Sequence, residues 1–238
     1  MIVMTSGRPK TVEAASKVEL RTPSFLVKPS QNERLLGCIV QNNCKWSEYI
    51  RDSKENSLIS ALNKRVAALN KIGKVTSFRQ RKMFGNGIFM SKINYCISVW
   101  GGCSKELLKS LQVCQNRAAR AITKNDWTVS TKENLNQIGW LNVNQTVFYF
   151  SALLMFKVRY YRQPQCLSSM FNWNYSHQTR AATSGIIKPI GTAHLSLAQN
   201  SFRWRAAVAF NSLPEHLRSS QSIEVFKSKL RLWVKENV

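Results

Sequence analysis

The sequence predicts a mainly helical fold with a small β element at the N-terminus and a C-terminal helical region that has room for one short hairpin. Three observations lead there. Apolar residues recur at three- and four-residue spacing over long stretches between Leu58 and Tyr161, and again from Ser201 onward; this is the period of a buried helical face. Glycine or proline closes those stretches at Gly73, Gly101–Gly102, Pro164 and Pro214. Short β-favouring runs occur before Val40. The chain has 238 residues, 44% hydrophobic, with 7 Trp and 11 Phe. That is enough to bury a core, in one large domain or two small ones.

The elements follow in order. Met1–Met4 reads as a strand and Ser6-Gly7-Arg8-Pro9 as a turn. Lys17 to Val27 alternates in part, with Val18, Leu20 and Leu26 apolar. Pro29 to Asn32 is another turn. Leu35 to Val40 is too short for a helix and reads as a strand or hairpin arm. After Trp46 the pattern turns helical. Leu58, Leu62, Val66, Leu69 and Ile72 form one stripe, stopped by Gly73. A second helix is expected from Ser77 to Trp100, with Gly85 and Gly87 as sites for a kink or break. Ser104 can cap a third, with Glu106 in its first turn and Leu107, Leu111, Cys114, Ala118 and Ile122 as its stripe. Thr131 to Ile138 predicts a short helix. Val143 to Tyr161 predicts a long one, apolar all round and hence buried on all sides. Ile186–Ile187 and His194–Leu197 flank Pro189 and Gly191, which predicts a loose hairpin. Helices are expected at Ser201–Asn211 and from Ser222 onward. The coarse division is a β-rich segment over 1–50, a helical domain over 51–163 and a C-terminal region over 164–238.

Charge narrows the function. Lys and Arg number 35 against 12 Asp and Glu, a formal charge of +23. Only Asp52 and Asp126 are aspartates, and no D-D or D-x-D element occurs. Two-metal phosphoryl transfer needs clustered carboxylates, so this chemistry is not expected of the chain. Nor is a phosphate-binding glycine loop or a Ser-His-Asp or Cys-His arrangement visible. The six cysteines form no C-x-x-C pair and stand apart from the three histidines. They read as small core hydrophobes rather than metal ligands or disulfides, and no cofactor is expected. Neither a signal peptide nor a bilayer-spanning run is recognisable, so an intracellular, soluble protein of nucleus or cytoplasm, without a membrane partner, is expected.

The positive charge is unevenly placed. No acid occurs between Glu55 and Glu106, or between Glu133 and Glu215. In the first window Lys64, Arg65 and Lys71 avoid the apolar stripe, and Lys74, Arg79, Arg81 and Lys82 follow at the next turn. A single-sign helical surface of this kind suits a phosphate backbone. Arg117 and Arg120, next to Gln115 and Asn116, extend the candidate contacts. Phe202-Arg203-Trp204-Arg205 alternates aromatic and basic residues, as base-stacking platforms do. On a helix, however, Phe202, Ala206 and Ala209 make a core stripe, and that reading is preferred.

An ordered set of short motifs carries a resemblance. Leu35-Leu36-Gly37, Trp46 and Lys71-Ile72-Gly73 come first. Lys92-Ile93-Asn94-Tyr95, Val99-Trp100-Gly101-Gly102 and Leu111-Gln112-Val113-Cys114-Gln115-Asn116-Arg117-Ala118-Ala119-Arg120 follow. Ile138-Gly139-Trp140-Leu141, Phe210-Asn211-Ser212-Leu213-Pro214 and Val225-Phe226-Lys227-Ser228-Lys229-Leu230 complete it. In order and spacing the set resembles the region after the palm in non-LTR (LINE-type) retrotransposon reverse transcriptases, over about residues 33–238. The resemblance implies that Leu35, Leu36 and Gly37 lie in a primer-grip-like hairpin at the palm's edge. It implies that the helices from about 57 to 122 form a thumb-like bundle holding template–primer, and that the rest is a post-thumb region. The family's catalytic aspartates and its F/Y-A-D-D sequence are missing here, as is its Cys/His knuckle. The implied partners are RNA or an RNA–DNA duplex, and the palm and fingers of a parent polymerase. The implied protein is a truncated reverse-transcriptase-like fragment that binds nucleic acid without being an enzyme. The alternative is a helical protein-interaction module, or a retroelement relic with no nucleic-acid role.

Overall fold

The structure, a computed structural model, describes residues 9–21, 23, 25–53, 56–172, 186–189 and 196–238. The expected strand at Met1–Met4 lies outside them. The fold is mainly helical with small antiparallel strand pairs. It divides into two compact units. The first joins residues 1–96 to 103–129, and the second joins 97–102 to 130–238.

The first unit opens with α1 (Pro9–Ser16) and two hairpins. In one, β1 (Leu20–Arg21) pairs with β2 (Leu26–Val27). In the other, β3 (Asn32–Leu35) pairs with β4 (Cys38–Gln41), so the run from Leu35 to Val40 is a turn and one arm rather than one strand. Leu36 and Gly37 make that turn, with φ of 48° and 82°. Positive φ at both central residues is the twist-compatible hairpin turn. Glycine adopts it freely; Leu36 does so at a cost of about 1–2 kcal/mol.

After a π-helical turn at Glu48–Asp52, α2 (Leu58–Ile72) starts where the Ser57 hydroxyl accepts from the Ser60 amide at 3.2 Å. Leu58, Leu62, Val66 and Leu69 are buried. They pack on α6 (Lys105–Thr123), whose Leu107, Leu111, Cys114, Ala118 and Ile122 are buried in turn. The expected single helix from Ser77 to Trp100 is broken into α3 (Phe78–Phe84), a π-helical segment at Gly85–Met90, α4 (Ser91–Asn94) and α5 (Ile97–Trp100). Two glycines weaken the α-helical register there, and the wider π turn buries Phe89 and Met90. Tyr95 then goes extended and Cys96 takes a φ of 53°.

In the second unit, α7 (Thr131–Ile138) and α8 (Val143–Tyr161) both begin with reciprocal capping boxes, Ser130 with Glu133 and Asn142 with Gln145. Next come α9 (Gln165–Ser168), β5 (Phe171–Asn172), β6 (Lys188–Pro189), α10 (Ser196–Asn200), α11 (Phe202–Asn211), α12 (Glu215–Arg218) and α13 (Ile223–Asn237). Helix α8 packs on α11 and α13. Phe156 stacks on Phe226 at 4.2 Å between centroids, and the Phe210 ring is tilted against Phe226 at 6.3 Å. Helix α8 is not buried all round. Its last turn exposes Tyr160 and Tyr161.

The short hairpin also differs in its partner. Lys188–Pro189 pairs with Phe171–Asn172. Ser196 and Leu197 are helical, while His194 lies outside the described residues. The Asn211 side chain explains the placement. Its Nδ2 donates to the Ile187 carbonyl at 2.8 Å and its Oδ1 accepts from the Ile187 amide at 2.9 Å. A buried Ile187 thereby has both backbone groups satisfied beside β6.

Glycine is sterically required at Gly102. A Cβ there would lie 2.0 Å from the Asn200 carbonyl oxygen.

Candidate nucleic-acid interface

The sequence-predicted cations all fall in the first unit, on α2, α3, the turn between them, and α6. On α2 the core residues face α6, and Lys64 and Lys71 are exposed two turns apart on the opposite side. Lys74, in the α2–α3 turn, and Arg79, on α3, are exposed; Lys82 is half-buried. Among the described residues none of Lys64, Lys71, Lys74, Arg79, Lys82 and Arg120 forms an ion pair. Two of the expected contact residues are occupied locally. Arg65 donates through Nη1 to the Ala61 carbonyl at 3.0 Å on its own helix. Arg81 donates through Nε to the Ile122 carbonyl at 2.7 Å and through Nη1 to the Thr76 carbonyl at 2.6 Å.

Arg81 is therefore a brace. It satisfies an orphan carbonyl in the last turn of α6, where a cation is also favoured by the helix dipole. It pins the α2–α3 turn beside that helix end. Gly73 fits there because a Cβ at that position would already touch the Leu69 and Ala121 carbonyl oxygens, at 2.9 and 3.5 Å. The consequence is a meeting of charges. Lys71, Lys74 and Arg79 come to the same end of the bundle as Arg120 and Lys124, the α6 C-cap with φ of 59°.

Helix α6 adds a feature that the sequence reading missed. Lys105, Lys109, Val113, Arg117, Arg120 and Lys124 are exposed at spacings of three and four residues. They form one ridge directly opposite the core stripe, about 28 Å long at 1.5 Å per residue. The signal was present in the spacing. It was hidden because Glu106 interrupts the acid-free window and because Gln115 drew attention to the wrong face. Gln115 is fully buried. Its Nε2 contacts Met90 Sδ at 3.6 Å, and its Oε1 accepts from Gln112 Nε2 at 2.9 Å. The ridge is linked to α2 where Arg117 Nη1 donates to Asn63 Oδ1 at 3.1 Å.

Leu35, Leu36 and Gly37, expected to be primer-grip-like, are at the tip of the β3–β4 hairpin. Leu35 and Leu36 are 63% and 80% exposed. The tip is held from below, where the Tyr95 hydroxyl donates to the Leu36 carbonyl at 2.5 Å. Lys92 Nζ sits 5.9 Å from the centre of the Tyr95 ring.

The aromatic–basic group on α11 is structural. Ala206 and Ala209 are buried, and Phe202 packs against the core. Arg205 donates to the Asn200 carbonyl at 2.9 Å and the Ser98 carbonyl at 2.8 Å. All six cysteines are free thiols. Among the described residues no cluster of His, Cys, Asp or Glu is placed to hold a metal ion, and no helix is long and apolar enough to cross a membrane. No protein-family model matches the chain, and no curated protein or solved structure matches it.

Proposed function

We propose that the first unit binds the phosphate backbone of a nucleic acid, with RNA or an RNA–DNA duplex as the preferred partner. The observation that carries the reading is the cationic surface: Lys64, Lys71, Lys74 and Arg79 on α2 and α3, and Lys109, Arg117, Arg120 and Lys124 on α6, all exposed, with Glu106 the one acid on these helices. Such cations displace condensed counterions from a nucleic acid, which supplies affinity without sequence readout. The ridge length supports a partner with regularly spaced phosphates rather than a small anion. The exposed Leu35–Leu36 tip beside Tyr95 supports a second, apolar contact to the same partner.

The resemblance to the post-palm region of LINE-type reverse transcriptases adds a role for such a surface, as a thumb-like holder of template–primer. With two aspartates in the whole chain, we propose that this chain by itself does not polymerise. Template-dependent primer extension by the pure chain with Mg²⁺ would contradict that.

Lysine acetylation footprinting tests the interface. With an RNA–DNA duplex bound, Lys64, Lys71, Lys74, Lys109 and Lys124 should be protected, while Lys157, Lys227 and Lys229 of the second unit stay reactive. Equal protection in both units would contradict the assignment.

A further inference from the structure

The cationic end of the first unit carries an apolar feature that phosphate contact does not use. Trp127 is 80% exposed, the most exposed aromatic side chain among the described residues. It lies three residues beyond Lys124, the C-cap of α6. The chain there makes a defined turn. The Val129 amide donates to the Asp126 carbonyl at 3.2 Å, and the Asp126 carboxylate accepts from the Trp127 amide at 2.7 Å. Trp127 is the first of the two central residues of that turn, a place where small or polar residues dominate. The neighbouring acid, Asp126, is engaged by this backbone bond. An exposed apolar residue standing singly needs no explanation, but Trp127 does not stand singly. Val75 is 86% exposed in the α2–α3 turn, and the bond of Arg81 to the Ile122 carbonyl brings that turn to the same end of α6. Lys71, Lys74, Arg120 and Lys124 are exposed at this end as well. Two turns thus present large apolar side chains among cations.

We infer that Trp127 is a stacking platform for an unpaired base at the end of a duplex, so that the first unit prefers a nucleic acid with a single-stranded extension to a continuous duplex. The inference rests on the phosphate-backbone reading of the same unit and names the form of nucleic acid it takes. An indole stacks on the flat face of a base. Inside a duplex both faces of every base are covered by neighbouring pairs, whereas an unpaired base offers a free one. The backbone follows the α6 ridge towards Lys124, and the first base past the last pair meets the indole three residues further on. Stacking of this kind is tolerant of sequence, because every base has a π-face. An anionic lipid surface is the competing occupant. It calls for a wide apolar face on an amphipathic helix. Here a single indole ends a linear ridge of cations, and the ridge suits a strand rather than a plane.

The test compares binding of the full chain to two labelled RNA–DNA duplexes at one salt concentration, one blunt and one with a single-stranded extension. The parent should bind the extended duplex about tenfold more tightly, the size of one base–aromatic stack. Trp127→Ala should lose that gain and bind the blunt duplex as the parent does. Trp127→Phe keeps a ring and should retain most of the gain. Trp127→Leu keeps apolar area without a π-face and should not. A fluorescent adenine analogue placed as the first unpaired base should be quenched by the parent and not by Trp127→Ala. The quenching by the parent decides the matter should a variant fold poorly. No gain from the extension in the parent, or a gain that Trp127→Ala keeps, overturns the inference and leaves phosphate contact standing. Failure of the parent to bind either duplex overturns both. Loss by Trp127→Ala of binding to phosphatidylserine–phosphatidylcholine vesicles, with binding to the extended duplex unchanged, assigns Trp127 to a lipid surface and overturns the inference too.

Discussion

The two units use arginine and lysine in opposite ways. In the second unit four of the described arginines are tied into the fold. Arg205 holds the Ser98 and Asn200 carbonyls, Arg218 holds the Leu213 carbonyl at 3.0 Å, and Arg231 holds the Gly139 carbonyl. Arg159 lies over the Tyr160 and Phe210 rings at 5.7 and 5.9 Å. In the first unit, among the predicted contact cations, Arg65 and Arg81 are bonded to backbone carbonyls and Arg117 to the Asn63 side chain, while Lys64, Lys71, Lys74, Arg79 and Arg120 are exposed. Both units coincide with acid-free stretches of sequence. An acid-free window therefore does not by itself mark a binding surface. It marks either cations bonded to backbone carbonyls or cations left for a partner, and only the hydrogen bonds separate the two.

The largest effects are expected in the packed interior of the second unit. Phe226→Ala removes a ring that stacks on Phe156 and meets Phe210. It should destabilise the second unit by about 3–5 kcal/mol, measured by denaturant unfolding. Gly102→Ala should cost about 3 kcal/mol, because its Cβ would sit 2.0 Å from a backbone oxygen. Neither change should alter the salt dependence of nucleic-acid binding, provided the first unit remains folded.

Arg81→Met comes next, since Arg81 is bonded to carbonyls within the unit whose other cations are mostly exposed. Loss of its bonds to Thr76 and Ile122 should cost about 1.5–3 kcal/mol. Thermal unfolding reads the loss, and the effect on binding should follow from loosening of the α2–α3 turn. Lys64→Ala, by contrast, should leave stability within about 0.5 kcal/mol and still weaken binding.

The smallest expected effect is at Tyr49. Burial pushes its phenol well above the ordinary tyrosine range. The folded state thus favours the neutral form. That contribution is full below pH about 10 and is lost as pH rises beyond it, because the unfolded chain ionises first. Tyr49→Phe should be close to neutral at pH 7, since no nitrogen or oxygen partner is left behind. It should also flatten the loss of stability above pH 10 in alkaline unfolding.

Helix periodicity made α2, α6, α7, α8, α11 and α13 legible in the sequence to within a residue or two, because each has an apolar stripe and a recognisable cap or stop. The break between Ser77 and Trp100 was signalled only as weakness at Gly85 and Gly87; the π segment answers to packing of Phe89 and Met90. The pairing of β6 depends on Asn211, which is 24 residues from Ile187 in sequence, and short-range patterns do not register such a contact. At the interface, charge sign and exposure were legible for Lys64, Lys71, Lys74 and Arg79. The bracing of Arg81 was not, because its acceptors are backbone carbonyls on other elements. The α6 ridge was written in the spacing from Lys105 to Lys124 but required the buried Gln115 to fix which face was outward.

Phosphate contact by the first unit is read from the salt dependence of binding. Affinity for a labelled RNA–DNA duplex, and for a B-DNA control, should fall steeply with salt, with a slope of about −0.9 per neutralised phosphate on B-DNA. Replacing Lys64, Lys71, Lys74, Arg79, Arg120 and Lys124 together by glutamine should remove most of that slope. Replacing Lys157, Lys188, Lys227 and Lys229 in the second unit should leave it intact. Equal slopes for the parent and the first-unit variant, with both folded, would contradict the account.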